Sequence, residues 1–214
     1  MKLQLALDVL TTDEAMKLAE ATKDSIDIIE IGTPLIKHEG IGLVKKMRKA
    51  FPDKEILVDL KTMDVGEYEA DFCFDAGADI VTVLGVADSG TIEGAIKSAK
   101  KHGKKVMVDL INVKNKVKRA KKAKKLGADY VGIHSGIDQQ NRGHSPLEDL
   151  KEVSKKVNIP IVVAGGINQE TIADIIKHKP AVVVVGGAIT GSKNPAKAAR
   201  KLKESMTKRK KKVS

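Results

Sequence analysis

Short runs of β-branched and aliphatic residues alternate with stretches whose apolar positions recur at helical spacing, and the alternation repeats eight times along the chain. The strand-like runs are 3–8, 27–31, 55–60, 79–84, 105–111, 129–134, 159–164 and 181–185. Helical patterns fall between them at about 12–22, 35–50, 65–76, 89–102, 114–126, 146–156, 169–178 and 193–206. Thr11 or Thr12 ahead of Glu14, and Asp88 or Ser89 ahead of Ile92, supply helix starts, while Gly77, Gly103 and Gly127 supply stops. Strict βα alternation implies a parallel sheet, and eight units in 214 residues imply an α/β chain closed into a (β/α)8 TIM barrel of one domain. The barrel is expected over 1–207, and 208–214 reads as a disordered tail. The near-repeats Ala76-Gly-Ala-Asp79 and Leu126-Gly-Ala-Asp129 sit where a helix hands over to a strand and read as punctuation between like units.

A barrel of this kind gathers its chemistry at the C-terminal ends of the strands. The first run ends in Asp8, the second carries Glu30, the third Asp59 and Lys61, the fifth Asp109 and the sixth His134. Alternation predicts that Gln4, Ala6 and Asp8 share one face, as do Leu57, Asp59 and Lys61. The third run continues as Asp59-Leu-Lys-Thr-Met-Asp64, so that opposite charges leave one strand end and Asp64 follows in the turn. An Asp and a Lys in phase on an apolar strand are costly to bury unless paired or chelating a metal, although ion-pair networks also arise for structure alone. His134 shares its rim with four carboxylates and a lysine, which favours catalysis over a structural histidine. The last two runs end in Gly165-Gly166 and Gly186-Gly187. Paired glycines at these two places let backbone N–H groups approach a phosphate, so a small phosphorylated ligand is expected.

Composition narrows the reading. The core is aliphatic, with three Phe, two Tyr and no Trp, and no apolar run is long enough to cross a membrane. The chain begins directly in a strand with no recognisable leader, and a single cysteine fits a reducing compartment, so a cytoplasmic protein is expected. Cys73, between two Phe residues, reads as packed and not as a nucleophile. The net charge of +11 is local: 114–125 holds eight Lys/Arg and 208–212 holds five, leaving the remainder at −2. In the first piece Val113, Val117, Ala120 and Ala123 recur at helical spacing, so its lysines read as a solvated face. The absence of interleaved aromatics and of a nucleic-acid motif weighs against nucleic-acid binding as the main function, despite the basicity. A non-catalytic sugar-phosphate-binding barrel is the other alternative, and it leaves Lys61 and His134 without a purpose.

With these residues placed, the chain resembles the orotidine 5'-phosphate decarboxylase superfamily, whose third strand ends in the same Asp-x-Lys-x-x-Asp. The likeness runs through LALDVL, DIIEIGTPLIKHEG, VDLKTMD, GADIVTVLG, VMVDLI, HSGIDQQ, VAGGI and VVGGAI, and is closest to the 3-hexulose-6-phosphate synthase branch. The resemblance implies a Mg2+-dependent aldolase that reversibly joins formaldehyde to D-ribulose 5-phosphate, giving D-arabino-3-hexulose 6-phosphate. Decarboxylases acting on orotidine 5'-phosphate carry a lysine where this chain has Glu30, a carboxylate suited to a hard cation. The alternative within the family is 3-keto-L-gulonate 6-phosphate decarboxylase, which typically has Glu, Arg and Arg where this chain has Asp109, Ile137 and Gly187. Chemistry and resemblance together give the expected roles. Glu30 and Asp59 would hold Mg2+, Lys61 would stabilise an enediolate, and His134, oriented by Asp109, would take the C1 proton. Asp8 would bind a substrate hydroxyl, Gly165, Gly166, Gly186 and Gly187 would cradle the phosphate, and Asp64 would reach the neighbouring subunit's site in a homodimer.

Overall fold

The eight strands form in the expected order, and each pairs in parallel with its sequence neighbours until β8 closes on β1. In chain order the elements are β1 (Lys2–Leu7), α1 (Thr12–Thr22), β2 (Ile28–Ile31), α2 (Thr33–Glu39), α3 (Gly42–Ala50), β3 (Glu55–Thr62), α4 (Gly66–Asp75), β4 (Ile80–Leu84), α5 (Ser89–His102) and β5 (Lys105–Asp109). They continue with α6 (Lys116–Leu126), β6 (Tyr130–His134), α7 (Ile137–Gln140), α8 (Leu147–Lys156), β7 (Ile161–Ala164), α9 (Ile172–Ile176), β8 (Val182–Val185), α10 (Gly187–Thr190) and α11 (Pro195–Thr207). This computed structural model describes residues 1–207, so the tail expected at 208–214 lies outside the described residues. Among the described residues no helix is long and apolar enough to cross a membrane.

Strand alternation divides the apolar residues into two cores. Leu3, Leu5, Leu7, Ile29, Ile31, Ile56, Val58, Val81, Val83, Val106 and Val108 point outward and pack under the helices. Ala6, Ile28, Leu57, Ile80, Met107, Val162, Val182 and Val184 point inward and fill the barrel, which is therefore a packed core and not a pore. Each fully buried aliphatic side chain contributes about 1.5–3 kcal/mol. The inward phase continues upward from this plug into Glu30, Asp59, Asp109 and His134, so the same alternation that packs the core aims the polar strand ends.

The start and stop signals act as expected. Thr11 caps α1 by accepting the Glu14 N–H, Asp88 caps α5 through the Gly90 N–H, and Gly103 and Gly127 end their helices in the left-handed region. The near-repeats are indeed punctuation. Asp79 accepts the Ile56 N–H and Asp129 accepts the Val106 N–H, each at 2.9 Å, and Asp27 does the same for Leu3 at 2.7 Å. The lysines of α6 face outward over buried Ala120 and Ala123, the solvated face read from the sequence. Cys73 is buried, and burial pushes its thiol up to about 12, so it has no nucleophilic character.

Three expectations need correction. The single helix at 35–50 is two, because Gly40 (φ 73°) closes α2 with its N–H on the Ile36 carbonyl before α3 begins. The helical pattern at 169–178 yields only the short α9. The third strand runs to Thr62 and is irregular: Val58 pairs with Val81 but Thr62 pairs with Val83, so Asp59, Leu60 and Lys61 crowd opposite Thr82 alone.

Candidate active site

The strand ends open into a cavity of about 790 Å³. Asp8, Glu30, Asp59, Lys61, Asp109, His134, Gly165, Gly166, Gly186 and Gly187 all line it, so every site residue expected from the sequence converges there except Asp64. Asp64 is exposed and accepts the N–H of Val65, whose φ of 47° turns the chain away toward α4. Around it Met63, Val65 and Tyr68 are more than half exposed and Phe72 is 39% exposed, an apolar surface on one side of the barrel.

One wall is an acid–base pair. His134 Nδ1 lies 2.9 Å from Asp109 Oδ2, while Asp109 Oδ1 accepts the Ile111 N–H at 2.9 Å. Burial works against an ionised Asp109, but the His134 hydrogen bond, its charge and the Lys61 ammonium outweigh it and hold the carboxyl below its ordinary range. Burial likewise works against imidazolium, but the hydrogen bond and charge of Asp109 prevail and raise the His134 pKa above its usual value. An ionised Asp109 accepts a hydrogen bond from Nδ1–H, so in the neutral ring Nε2 is the basic nitrogen.

The opposite wall is a carboxylate pair and a lysine. Thr33 Oγ1 shares its one proton between the Asp59 carbonyl oxygen at 2.7 Å and Asp59 Oδ2 at 2.8 Å, and Thr82 Oγ1 donates to Asp59 Oδ1 at 2.7 Å. Lys61 Nζ pairs with Asp59 Oδ2 and lies 3.6 Å from Asp109 Oδ2, so it links the two walls. Burial would depress the lysine, yet Asp59 and Asp109 raise its pKa and keep it charged. Lys61 has φ 49°, a left-handed conformation that costs a non-glycine residue about 1–2 kcal/mol. Glu30 Oε2 accepts from Gln4 Nε2 at 2.6 Å. Burial and then the Asp59 charge push the Glu30 carboxyl up to about 8. Asp8, at the cavity lip, is raised by loss of water and by the same Asp59 charge.

Among the described residues no three His, Cys, Asp or Glu side chains form a ready metal cluster. Glu30 and Asp59 nevertheless fit a hard divalent cation, because Mg2+ is commonly held by one or two carboxylates, with water and substrate supplying the remaining oxygens. The mutual repulsion that raises Glu30 is what a cation between them would relieve.

The two glycine ends border the cavity in different ways. Gly165 has φ 113°, and a Cβ there would stand 2.3 Å from the Ser135 carbonyl oxygen, so only glycine fits. Gly186 and Gly187 lead directly into α10, whose first N–H groups open at the cavity, and a Cβ on Gly187 would meet nothing within 4 Å.

Three polar residues were given no role from the sequence. Gln4 was placed in the inward phase of Asp8, and that phase was its signal. Its Oε1 is the one buried side-chain polar atom left without a hydrogen bond among the described residues. Thr82 is a lone polar residue inside an apolar strand, and Thr33 opens α2, separated from the end of β2 by Gly32 alone; their contacts to Asp59 cross between neighbouring βα units, which no single-strand pattern carries.

Comparison with known proteins shows which family shares this sequence and fold. The family model described as orotidine 5'-phosphate decarboxylase / HUMPS family matches residues 1–202. The chain is 47% identical to the 3-hexulose-6-phosphate synthase of Mycobacterium gastri over 203 residues, 95% of this chain and 98% of that protein. The crystal structure of 3-hexulose-6-phosphate synthase from Salmonella typhimurium superposes with a TM-score of 0.94 at 45% identity, covering 96% of this chain and 98% of that one. The 3-keto-L-gulonate-6-phosphate decarboxylase of Vibrio cholerae is more distant, with a TM-score of 0.83 at 26% identity and 96% of each chain covered. The chain belongs to the orotidine 5'-phosphate decarboxylase / HUMPS family, within its 3-hexulose-6-phosphate synthase branch.

Proposed function

We propose that the protein is a Mg2+-dependent aldolase that condenses formaldehyde with D-ribulose 5-phosphate to D-arabino-3-hexulose 6-phosphate, reversibly. The observation that carries the reading is the His134–Asp109 pair facing Glu30, Asp59 and Lys61 across one cavity that ends in two glycine pairs. Gly165, Gly166, Gly186 and Gly187 bind the phosphate through backbone N–H groups and so fix the distance of C1 from the acid–base wall. Nε2 of His134 removes the C1 proton, and Asp109 steadies the resulting imidazolium. Lys61 stabilises the enediolate oxygen by charge and hydrogen bonding, and Asp8 orients a hydroxyl at the lip. Glu30 and Asp59 would hold Mg2+, which would supply Lewis-acid charge stabilisation for the enediolate. The enediolate carbon then adds to formaldehyde, and a proton goes to the new alkoxide.

The same reading makes the protein a homodimer in which Asp64 serves the partner's cavity; its support is the exposed Asp64 outside its own cavity, set in the apolar surface of Met63, Val65, Tyr68 and Phe72. Asp109, Ile137 and Gly187 stand in the cavity lining and favour the synthase over the keto-gulonate decarboxylase. The decisive assay follows formaldehyde consumption with ribulose 5-phosphate and Mg2+. Turnover is expected, and its absence alongside efficient decarboxylation of 3-keto-L-gulonate 6-phosphate would reassign the activity.

A further inference from the structure

Thr82 is fully buried on the inward face of β4 and does not line the cavity, so it cannot act on a substrate directly. It stands where β3 is irregular, with Asp59, Leu60 and Lys61 all opposite this one residue. The irregularity takes the Lys61 N–H out of the ladder, and a buried N–H needs another acceptor. Thr82 Oγ1 accepts it at 2.9 Å. The same hydroxyl donates its only proton to Asp59 Oδ1 at 2.7 Å.

We propose that Thr82 is a positioning residue for the reaction: one hydroxyl sets both the carboxylate orientation of Asp59 and the left-handed backbone of Lys61, so the two reach the substrate as a preformed pair. The inference deepens the aldolase reading and rests on it for the kinetic consequence, but the positioning itself is independent of which sugar phosphate binds. Valine keeps the shape of threonine and removes the hydroxyl, which strands both the Lys61 N–H and the Asp59 oxygen. Serine keeps the hydroxyl and loses only a methyl group.

The test compares wild type, Thr82→Val and Thr82→Ser by three readouts: steady-state kinetics, calorimetric Mg2+ titration without substrate, and the acetylation rate of Lys61 resolved by peptide mass spectrometry. Thr82→Val is expected to lose about 10–100-fold in kcat and to bind Mg2+ more weakly, as partners of metal-holding carboxylates typically do. Its KM for ribulose 5-phosphate should stay within about threefold, because the glycine cradle is untouched. Lys61 should acetylate faster once its backbone is released, and Thr82→Ser should restore all three readouts most of the way. Wild-type kcat and wild-type Lys61 acetylation in folded Thr82→Val would overturn the proposal, and so would a Thr82→Ser variant as impaired as Thr82→Val, since packing would then explain the loss. Should Thr82→Val fail to fold, Thr82→Ala against Thr82→Ser isolates the same hydroxyl. If wild type shows no aldol turnover, the functional reading fails, and the Lys61 acetylation comparison still decides the role of Thr82.

Discussion

Both ends of the barrel are charged, and they handle charge in opposite ways. At the N-terminal end Glu55 is paired with Lys2 and Lys105, and Lys105 also lies over the Tyr130 ring at 5.8 Å. Asp79 is held by Arg48, Lys104 and the Ile56 N–H; partial burial opposes its ionisation, but these partners outweigh it and lower its pKa. At the C-terminal end Asp8 and Glu30 are raised and Lys61 is left in a left-handed conformation. Charge at a barrel rim is therefore no sign of function by itself. Like charges crowded together, with a strained residue between them, mark the end to which the proposed chemistry is assigned.

The largest separation of the two ends should come from chelation. Removing divalent cations should abolish turnover and Mg2+ should restore it, since Glu30 and Asp59, the carboxylates proposed to hold the cation, stand at the C-terminal end; full activity in excess chelator would move the protein toward metal-free chemistry.

Next in size is Asp109→Asn. Without the carboxylate the Nδ1 proton is no longer fixed, and kcat should fall on the order of 10²–10⁴-fold, the usual worth of an acid–base group. Because Asp109 raises the His134 pKa, its loss should also move the acidic limb of the kcat/KM profile to lower pH. A limb that stays in place would separate His134 from the observed ionisation.

The N-terminal end should show the converse. Asp79→Ala strands Arg48, Lys104 and the Ile56 N–H, and should lower unfolding free energy by about 1–3 kcal/mol while leaving kcat unchanged below the melting transition. A loss of kcat at full folding would show that the two ends are coupled.

The smallest expected effect sharpens the cradle. Gly187→Val adds a side chain where no protein atom lies within 4 Å, so folding should be spared. The affinity for ribulose 5-phosphate should weaken about tenfold, roughly 1.4 kcal/mol, with kcat little changed. Unaltered affinity would move the phosphate away from this loop.

The barrel was legible because each strand has to satisfy two faces at once, and that leaves an alternation visible along Leu3 to Asp8 or Val131 to His134 without knowing its neighbours. The residues that line the cavity were legible for a related reason, since a carboxylate in the inward phase at a strand end has nowhere to point but the cavity. What depends on two strands together was hidden: the three-against-one register opposite Thr82, and the Gln4–Glu30 bond between neighbouring strands. The four-residue helices α7 and α10 are too short to carry a period, and the break at Gly40 was masked by apolar positions that keep phase across it.

In the proposed aldolase, His134 and the wall facing it generate an enediolate before any carbon–carbon bond forms. Ribulose 5-phosphate incubated with enzyme and Mg2+ in D2O, without formaldehyde, should exchange one C1 hydrogen, and His134→Ala should slow that exchange by about 10²–10⁴-fold. Exchange at the wild-type rate in His134→Ala would contradict the account and pass the role of base to another carboxylate of the rim.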